Sequence, residues 1–194
     1  MPLATRDPAA AVAEAVRLAG TRGPRRGPTT VVAVDGPSGS GKSTLGAAIA
    51  DALGAPLVHM DDIYPGWDGL AEAVPLVTTQ VLQPLAAGEP AAYRRWDWVR
   101  SRWSSRTVAV PSMPLLVLEG VGSSVRPAGD YAAVCVWVEA DREVRFARGI
   151  DRDGEAYRPH WERWARQEEA LFAADRTRDR ADVVLDTTAL CHEF

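Results

Sequence analysis

The chain has 194 residues, of which 46% are hydrophobic and 25% charged, with a formal net charge of -4. That is the composition of one well-buried globular domain, and its charge provides no overall attraction to nucleic acid or to an anionic membrane, so any phosphate chemistry must be local. The two cysteines lack metal or redox spacing, and no stretch reaches the roughly 20 apolar residues of a membrane span or has the layout of a signal peptide, so a cytoplasmic protein is expected.

In chain order, "PAAAVAEAVRLA" (8–19) places Val12, Val16 and Ala19 at helical spacing and stops at Gly20. "GTRGPRRGP" (20–28) concentrates glycine, proline and arginine and reads as a connector. Residues 1–28 are therefore expected to be a helix and linker packed on a domain running over 29–194. Thr29–Asp35 is a largely β-branched run, as in a strand buried on both faces, and Lys42–Leu53 is a helical pattern ended by Gly54. Further buried strands are predicted at 57–60, 115–119, 133–138 and 182–186, with helices at about 70–87, 141–152 and 159–174. Strands alternating with helices predict a three-layer α/β/α fold around a five-stranded parallel sheet. There is no internal repeat.

Gly36-Pro37-Ser38-Gly39-Ser40-Gly41-Lys42-Ser43 fits the pattern G-x-x-x-x-G-K-[ST], and it lies between a strand and a helix as that pattern requires. The glycines let the backbone N–H groups of Gly36, Ser38, Gly39, Ser40, Gly41, Lys42, Ser43 and Thr44 turn inward around phosphate oxygens, and the helix N-terminus adds partial positive charge. Lys42 is the only lysine in the chain. It suits the β- and γ-phosphates as a compact charge on a flexible stem, whereas the wider planar fork of arginine would not fit the same cradle. The Ser43 hydroxyl is placed to ligate Mg²⁺. With Lys42 committed, no lysine remains for the guanine-reading N-K-x-D motif of a GTPase. The apolar strand "LLVLEG" ends at Glu119 and Gly120 rather than in the Asp-Glu usual for a mechanical ATPase. The pattern points to a small-molecule kinase.

Four segments occur in a recognisable order: the loop 36–43, "HMDDIY" (59–64), "YRRWDWVRSR" (93–102) with "VAVPSMPLLVLEGV" (108–121), and "RFARGIDRDG" (145–154). In these the chain resembles the uridine kinase family. The resemblance implies a P-loop kinase fold that uses ATP and Mg²⁺ and moves the γ-phosphate to the 5′-hydroxyl of a pyrimidine nucleoside. Asp61 matches the family's catalytic acid. Its place at the carboxyl end of a strand also suits a base that takes the acceptor's proton. Asp62 beside it is a candidate for the metal's water shell, and either aspartate could instead cap the next helix. Glu119 resembles the family's acidic residue near Mg²⁺.

The resemblance also places Tyr64, Trp96 and Trp98 at the acceptor, with Asp97 between the tryptophans, where aromatic faces stack on a base or fill core space and an aspartate grips ribose hydroxyls; the charge of Arg102 makes it a further candidate there. The chain departs from the family here: the histidine expected after the Tyr-Asp pair is replaced by "VRSRW", with Ser101 near its place. Arg94, Arg95, Arg100 and Arg102 would suit a phosphate or carboxylate on the acceptor, or simply a solvated strand. Arg142, Arg145, Arg148 and Arg152 share one helical face. The resemblance makes Arg148 and Arg152 the charge-neutralising pair beside a lid at about 152–159, with salt bridges to Asp141, Glu143 and Asp151 as the alternative. His59 reads as a core histidine, and His160 and Trp164 as local packing. The expected partners are ATP and a small-molecule acceptor, with no nucleic acid polymer and no membrane. The N-terminal helix either covers the sheet or closes a homo-oligomer. Two other readings are a kinase of the same fold acting on an anionic acceptor and an ATP-binding regulator without turnover.

Overall fold

The computed structural model describes residues 2–155 and 157–190. Cys191 and His192 lie outside the described residues. The run "TVVAVD" forms β2 (Thr30–Asp35), buried at every position, because parallel strands at both sides and helices on both faces leave it no contact with water. Among the described residues, the main sheet is parallel and has six strands, in the order β1-β8-β7-β2-β6-β3: β1 (Leu3–Thr5), β3 (Leu57–His59), β6 (Leu115–Glu119), β7 (Ala132–Glu139) and β8 (Val183–Asp186) join β2. The expectation of five strands is thus corrected by β1, which pairs Leu3, Ala4 and Thr5 with Val183, Val184 and Leu185. Three residues are too few to show a period, and only the open edge of β8 makes them a strand.

On one face, α1 (Pro8–Arg22) and α2 (Lys42–Leu53) pack over the sheet. Asp7 caps α1 by accepting the Ala9 N–H, and Gly20, exposed and free of neighbours, is carried inside the helix instead of ending it. The buried stripe is Ala11, Ala15, Leu18 and Ala19, so Val12 and Val16 lie only at its edge. On the other face, α3 (Leu70–Val77), α4 (Gln83–Ala87) and α6 (Arg158–Asp175) cover Met60, Ile63, Leu116 and Leu118. The single helix predicted over 70–87 is interrupted at Thr78–Leu82 by a π-helical turn. Pro75 and Pro84 flank it, and a proline has no N–H with which to close an α-helical turn.

Outside the main sheet, β4 (Ala91–Asp97) and β5 (Arg102–Val110) form an antiparallel hairpin. The last elements are α5 (Arg142–Asp153) and, after a short connector, α6. Among the described residues, no helix is long and apolar enough to cross a membrane. Since all main-sheet strands run in parallel, the loop after β2, the segment after β3 and the end of β6 meet at one edge, where open α/β sheets hold ligands.

Candidate active site

The glycine loop is anchored by Asp35, the last residue of β2. Its fully buried carboxyl accepts the N–H groups of Gly36, Gly122 and Ser124 at 2.7, 2.9 and 2.8 Å and the Ser124 hydroxyl at 2.9 Å. Burial pushes its pKa up, and these donors oppose the shift by stabilising the carboxylate. Asp35 thus joins the loop to the segment after β6. Asp35 is not among the residues expected at the site; its signal in the sequence is an acid closing an otherwise apolar buried strand.

Within the loop, Gly39 has φ +77°, and a Cβ there would lie 2.2 Å from the Arg145 carbonyl. Lys42 is buried and its Nζ donates to Pro37 O at 3.3 Å. The N–H groups of Lys42, Ser43 and Thr44 begin α2 and have no intrahelical acceptor. Among the described residues, the N–H groups of Gly39 and Gly41 have no hydrogen-bond acceptor, and Ser40 Oγ is buried without a partner. A concave set of unsatisfied donors around one buried ammonium fits a polyphosphate.

A cavity of about 380 Å³ opens beside the loop and brings together Lys42, Ser43, Asp61, Asp62, Tyr64, Glu119 and Arg152 from the residues picked out in the sequence. Glu119 is 2% exposed; its Oε2 accepts the Ser43 hydroxyl at 3.3 Å, and its Oε1 lies 2.6 Å from His59 Nδ1. His59 is therefore a half-exposed partner of Glu119 and not a core histidine; the hydrogen bond raises its pKa, against the effect of burial. Ser43 and Glu119 offer the hard oxygen donors that suit Mg²⁺. Among the described residues, no group of three or more His, Cys, Asp and Glu is placed to hold a metal ion.

The Asp61 side chain has no hydrogen bond or ion pair among the described residues, and only its backbone carbonyl is engaged, by Trp98 Nε1 at 2.9 Å. Its carboxyl touches the water of the open cavity while protein surrounds it elsewhere. Desolvation raises its pKa and the nearby Glu119 adds to the rise, with Lys42 and Arg152 pulling the other way. Asp62 is occupied: it accepts the Tyr93 hydroxyl at 2.9 Å and pairs with Arg95 Nε at 2.7 Å, tying down the hairpin. Tyr64 donates to Val121 O at 2.8 Å and meets Trp164 edge-on, so only its ring faces the cavity.

Trp96, Asp97 and Arg102 lie outside this cavity. Strand alternation sends Tyr93 and Arg95 toward Asp62, and sends Arg94 and Trp96 to the far side against Trp103. Asp97 accepts the Arg100 N–H and guanidinium, both at 2.9 Å, which lowers its pKa and fixes the hairpin turn. Arg102 is its exposed register partner. The aromatic wall is instead built from Trp98 and from Trp67, which sequence analysis did not single out. The Trp67 indole stacks on His160 at 4.4 Å and Tyr157 at 5.4 Å and also meets Trp98 at 4.9 Å.

Arg148 and Arg152 border a smaller cleft of about 200 Å³ along the loop, with Gly39, Gly41 and Thr44. Arg148 donates to Thr187 Oγ1, Thr187 O and Leu190 O, securing the segment after β8. Arg152 reaches both clefts and makes two hydrogen bonds to Asp153, which raise its pKa. Arg142 pairs with Glu162 and Glu169 on α6. Ser38 is engaged at its N–H, carbonyl and hydroxyl by Glu168, Arg145 and Tyr157.

No family model matches the chain. It is similar to a cytidylate kinase of Halobacterium salinarum, 32% identical over 123 residues. The match takes in 63% of this chain and 58% of that protein, so this chain spans under two thirds of the relative's length. Among solved structures, it resembles a possible uridine kinase from Bacillus stearothermophilus, with a TM-score of 0.66 at 19% identity over 92% of this chain and 98% of the other. It also resembles a candidate fructose transport system kinase from Silicibacter sp. TM1040, with a TM-score of 0.62 at 23% identity over 89% and 98%. These likenesses establish the fold, which is that of the P-loop kinases.

Proposed function

We propose that this chain is an ATP-dependent phosphotransferase that moves the γ-phosphate to a hydroxyl of a small molecule, in the manner of the uridine and cytidine kinases. The observation that carries the reading is Asp61: an unpartnered carboxylate in the same cavity as Lys42 and Ser43, beside a wall of aromatic rings. In this reading the N–H groups of Gly39 and Gly41, those of Lys42, Ser43 and Thr44 at the start of α2, and the Lys42 ammonium hold the phosphates. Asp61 orients the acceptor hydroxyl and takes its proton as the oxygen attacks phosphorus. A bound magnesium ion, held by Ser43 and Glu119, would neutralise charge on the phosphate oxygens. Arg152, reaching both clefts, contributes positive charge where the phosphoryl group moves.

The acceptor end favours an uncharged, ring-bearing molecule such as a nucleoside. Arg94, Arg100 and Arg102 lie outside the cavity, and the two arginines that line it are paired with Asp62 and Asp153. Rings of Tyr64, Trp67, Trp98 and Trp164 supply apolar faces for a base or sugar. The cytidylate kinase relative supports a second reading, in which the acceptor is a nucleoside monophosphate and Arg95 leaves Asp62 to meet its phosphate. ADP release from MgATP separates the two when uridine, cytidine, their monophosphates and sugar phosphates are offered in turn. Stimulation by a nucleoside supports the first reading and stimulation by monophosphates alone supports the second. ATP binding without transfer to any acceptor would leave a regulator.

A further inference from the structure

Glu168 is a buried carboxylate for which the transfer chemistry above has no use. It projects from α6 with 2% of its surface exposed, and its Oε1 accepts the backbone N–H of Ser38 at 2.7 Å. A negative charge held against an anion-binding loop works against phosphate, and the charges facing it are Arg145, 3.7 Å from the other carboxylate oxygen, and Lys42. Such an arrangement calls for a compensating role in the loop itself.

The other polar groups of Ser38 supply that role. Arg145 Nη1 donates to Ser38 O at 3.2 Å, and Tyr157 Oη donates to Ser38 Oγ at 3.0 Å. Every polar group of one loop residue is thus gripped from α5, from the connector that follows it, and from α6. Tyr157 is closely packed on its far side too: it is 2% exposed, stacks on Trp67, and lies so close to α5 that a Cβ on Gly149 would be 2.9 Å from its ring. The Ser38 N–H therefore points at Glu168, in contrast to the unsatisfied N–H groups of Gly39 and Gly41.

We propose that Ser38 is a positioning residue through which Glu168 and Tyr157 shape the phosphate loop, coupling the placement of the α5–α6 connector to the grip on the nucleotide. The proposal rests on the reading of the loop as an ATP site.

The test is calorimetric titration of the full chain with MgATP, followed by kcat and KM once an acceptor is in hand. Tyr157→Phe deletes one hydroxyl and keeps the stacked ring, and Ser38→Ala removes its partner. Each should weaken MgATP binding roughly 2- to 10-fold, the effect of one hydrogen bond, and raise the KM for ATP without changing that for the acceptor. The double variant should bind no more weakly than the weaker single one, because both remove the same bond. Glu168→Gln, which keeps an acceptor oxygen, should recover most of the binding that Glu168→Ala loses. Unchanged binding in the single variants, or additive losses in the double one, would overturn the coupling alone. Failure of the wild-type protein to bind MgATP would overturn both the coupling and the ATP-site reading.

Discussion

Asp61 combines two properties that a general base needs and that stability does not reward. Its carboxyl has no partner among the described residues, and its surroundings raise its pKa above the ordinary aspartate value of 3.8. A base must be ionised, so activity should rise with pH through that raised pKa and fall away below it. The acid limb of kcat/KM should therefore lie above pH 3.8 and vanish in Asp61→Asn, whose kcat should drop about 10²- to 10⁴-fold. Because folding penalises the ionised carboxylate, stability falls as pH rises through the same window, and Asp61→Asn should melt no lower than the wild type at neutral pH. A variant that lost both activity and melting temperature would identify Asp61 as a structural residue. Lys42 gives a second prediction. Its buried ammonium reaches Pro37 O inside a closely packed loop, so Lys42→Arg should lose MgATP turnover despite keeping its charge. Lys42, Ser43, Asp61 and Glu119 could be picked out in the sequence because a motif or a strand end dictates where their backbone goes. Trp67 could not, since it comes from an irregular segment whose path depends on what packs against it.

The hairpin β4–β5 shows how an element decides which of its residues meet a ligand. Of three consecutive residues, Trp96 and Asp97 are expected at the acceptor, and Arg95 either at an acceptor anion or on a solvated strand. Pleating separates them, and a register shift between Arg94 and Trp96 adjusts which side each one faces. Only pairing with β5 sets that parity, and no pattern in β4 alone reveals it. The hairpin is held to the site by Asp62, through the Tyr93 hydroxyl and the Arg95 guanidinium. The Arg95 side chain is 62% exposed, so water screens most of that ion pair and the Tyr93 bond dominates. Asp62→Ala should therefore raise the acceptor KM roughly 10-fold, consistent with one or two lost hydrogen bonds, with little change in the KM for ATP. Asp62→Asn, which still accepts from Tyr93, should lose less. Equal effects of Asp62→Ala on both KM values would place Asp62 at the phosphates instead of the hairpin.

At the scale of the whole molecule, the site depends on a parallel sheet that brings the ends of separate strands to one edge. The central strands could be read from their β-branched runs, whereas β1 and the π-helical turn arise from an open sheet edge and from flanking prolines. Parallel pairing of β2 with β6 aligns Val34 with Glu119, but strand register alone does not fix the loops beyond. Asp35 does that, since its fully buried carboxyl binds the first residue of the phosphate loop and two residues of the segment that follows Glu119. Removing it leaves three buried N–H groups and a hydroxyl without an acceptor, a loss of about 3 kcal/mol or more. For a chain of this size that corresponds to a fall in melting temperature of roughly 6–12 °C. Asp35→Ala should show this fall and should also weaken MgATP binding at temperatures well below its own transition, because the cradle loses its anchor before the fold is lost. A melting temperature within about 2 °C of the wild type would mean that water replaces the carboxylate, and that the two loops are held together by the packing of β2 and β6 alone.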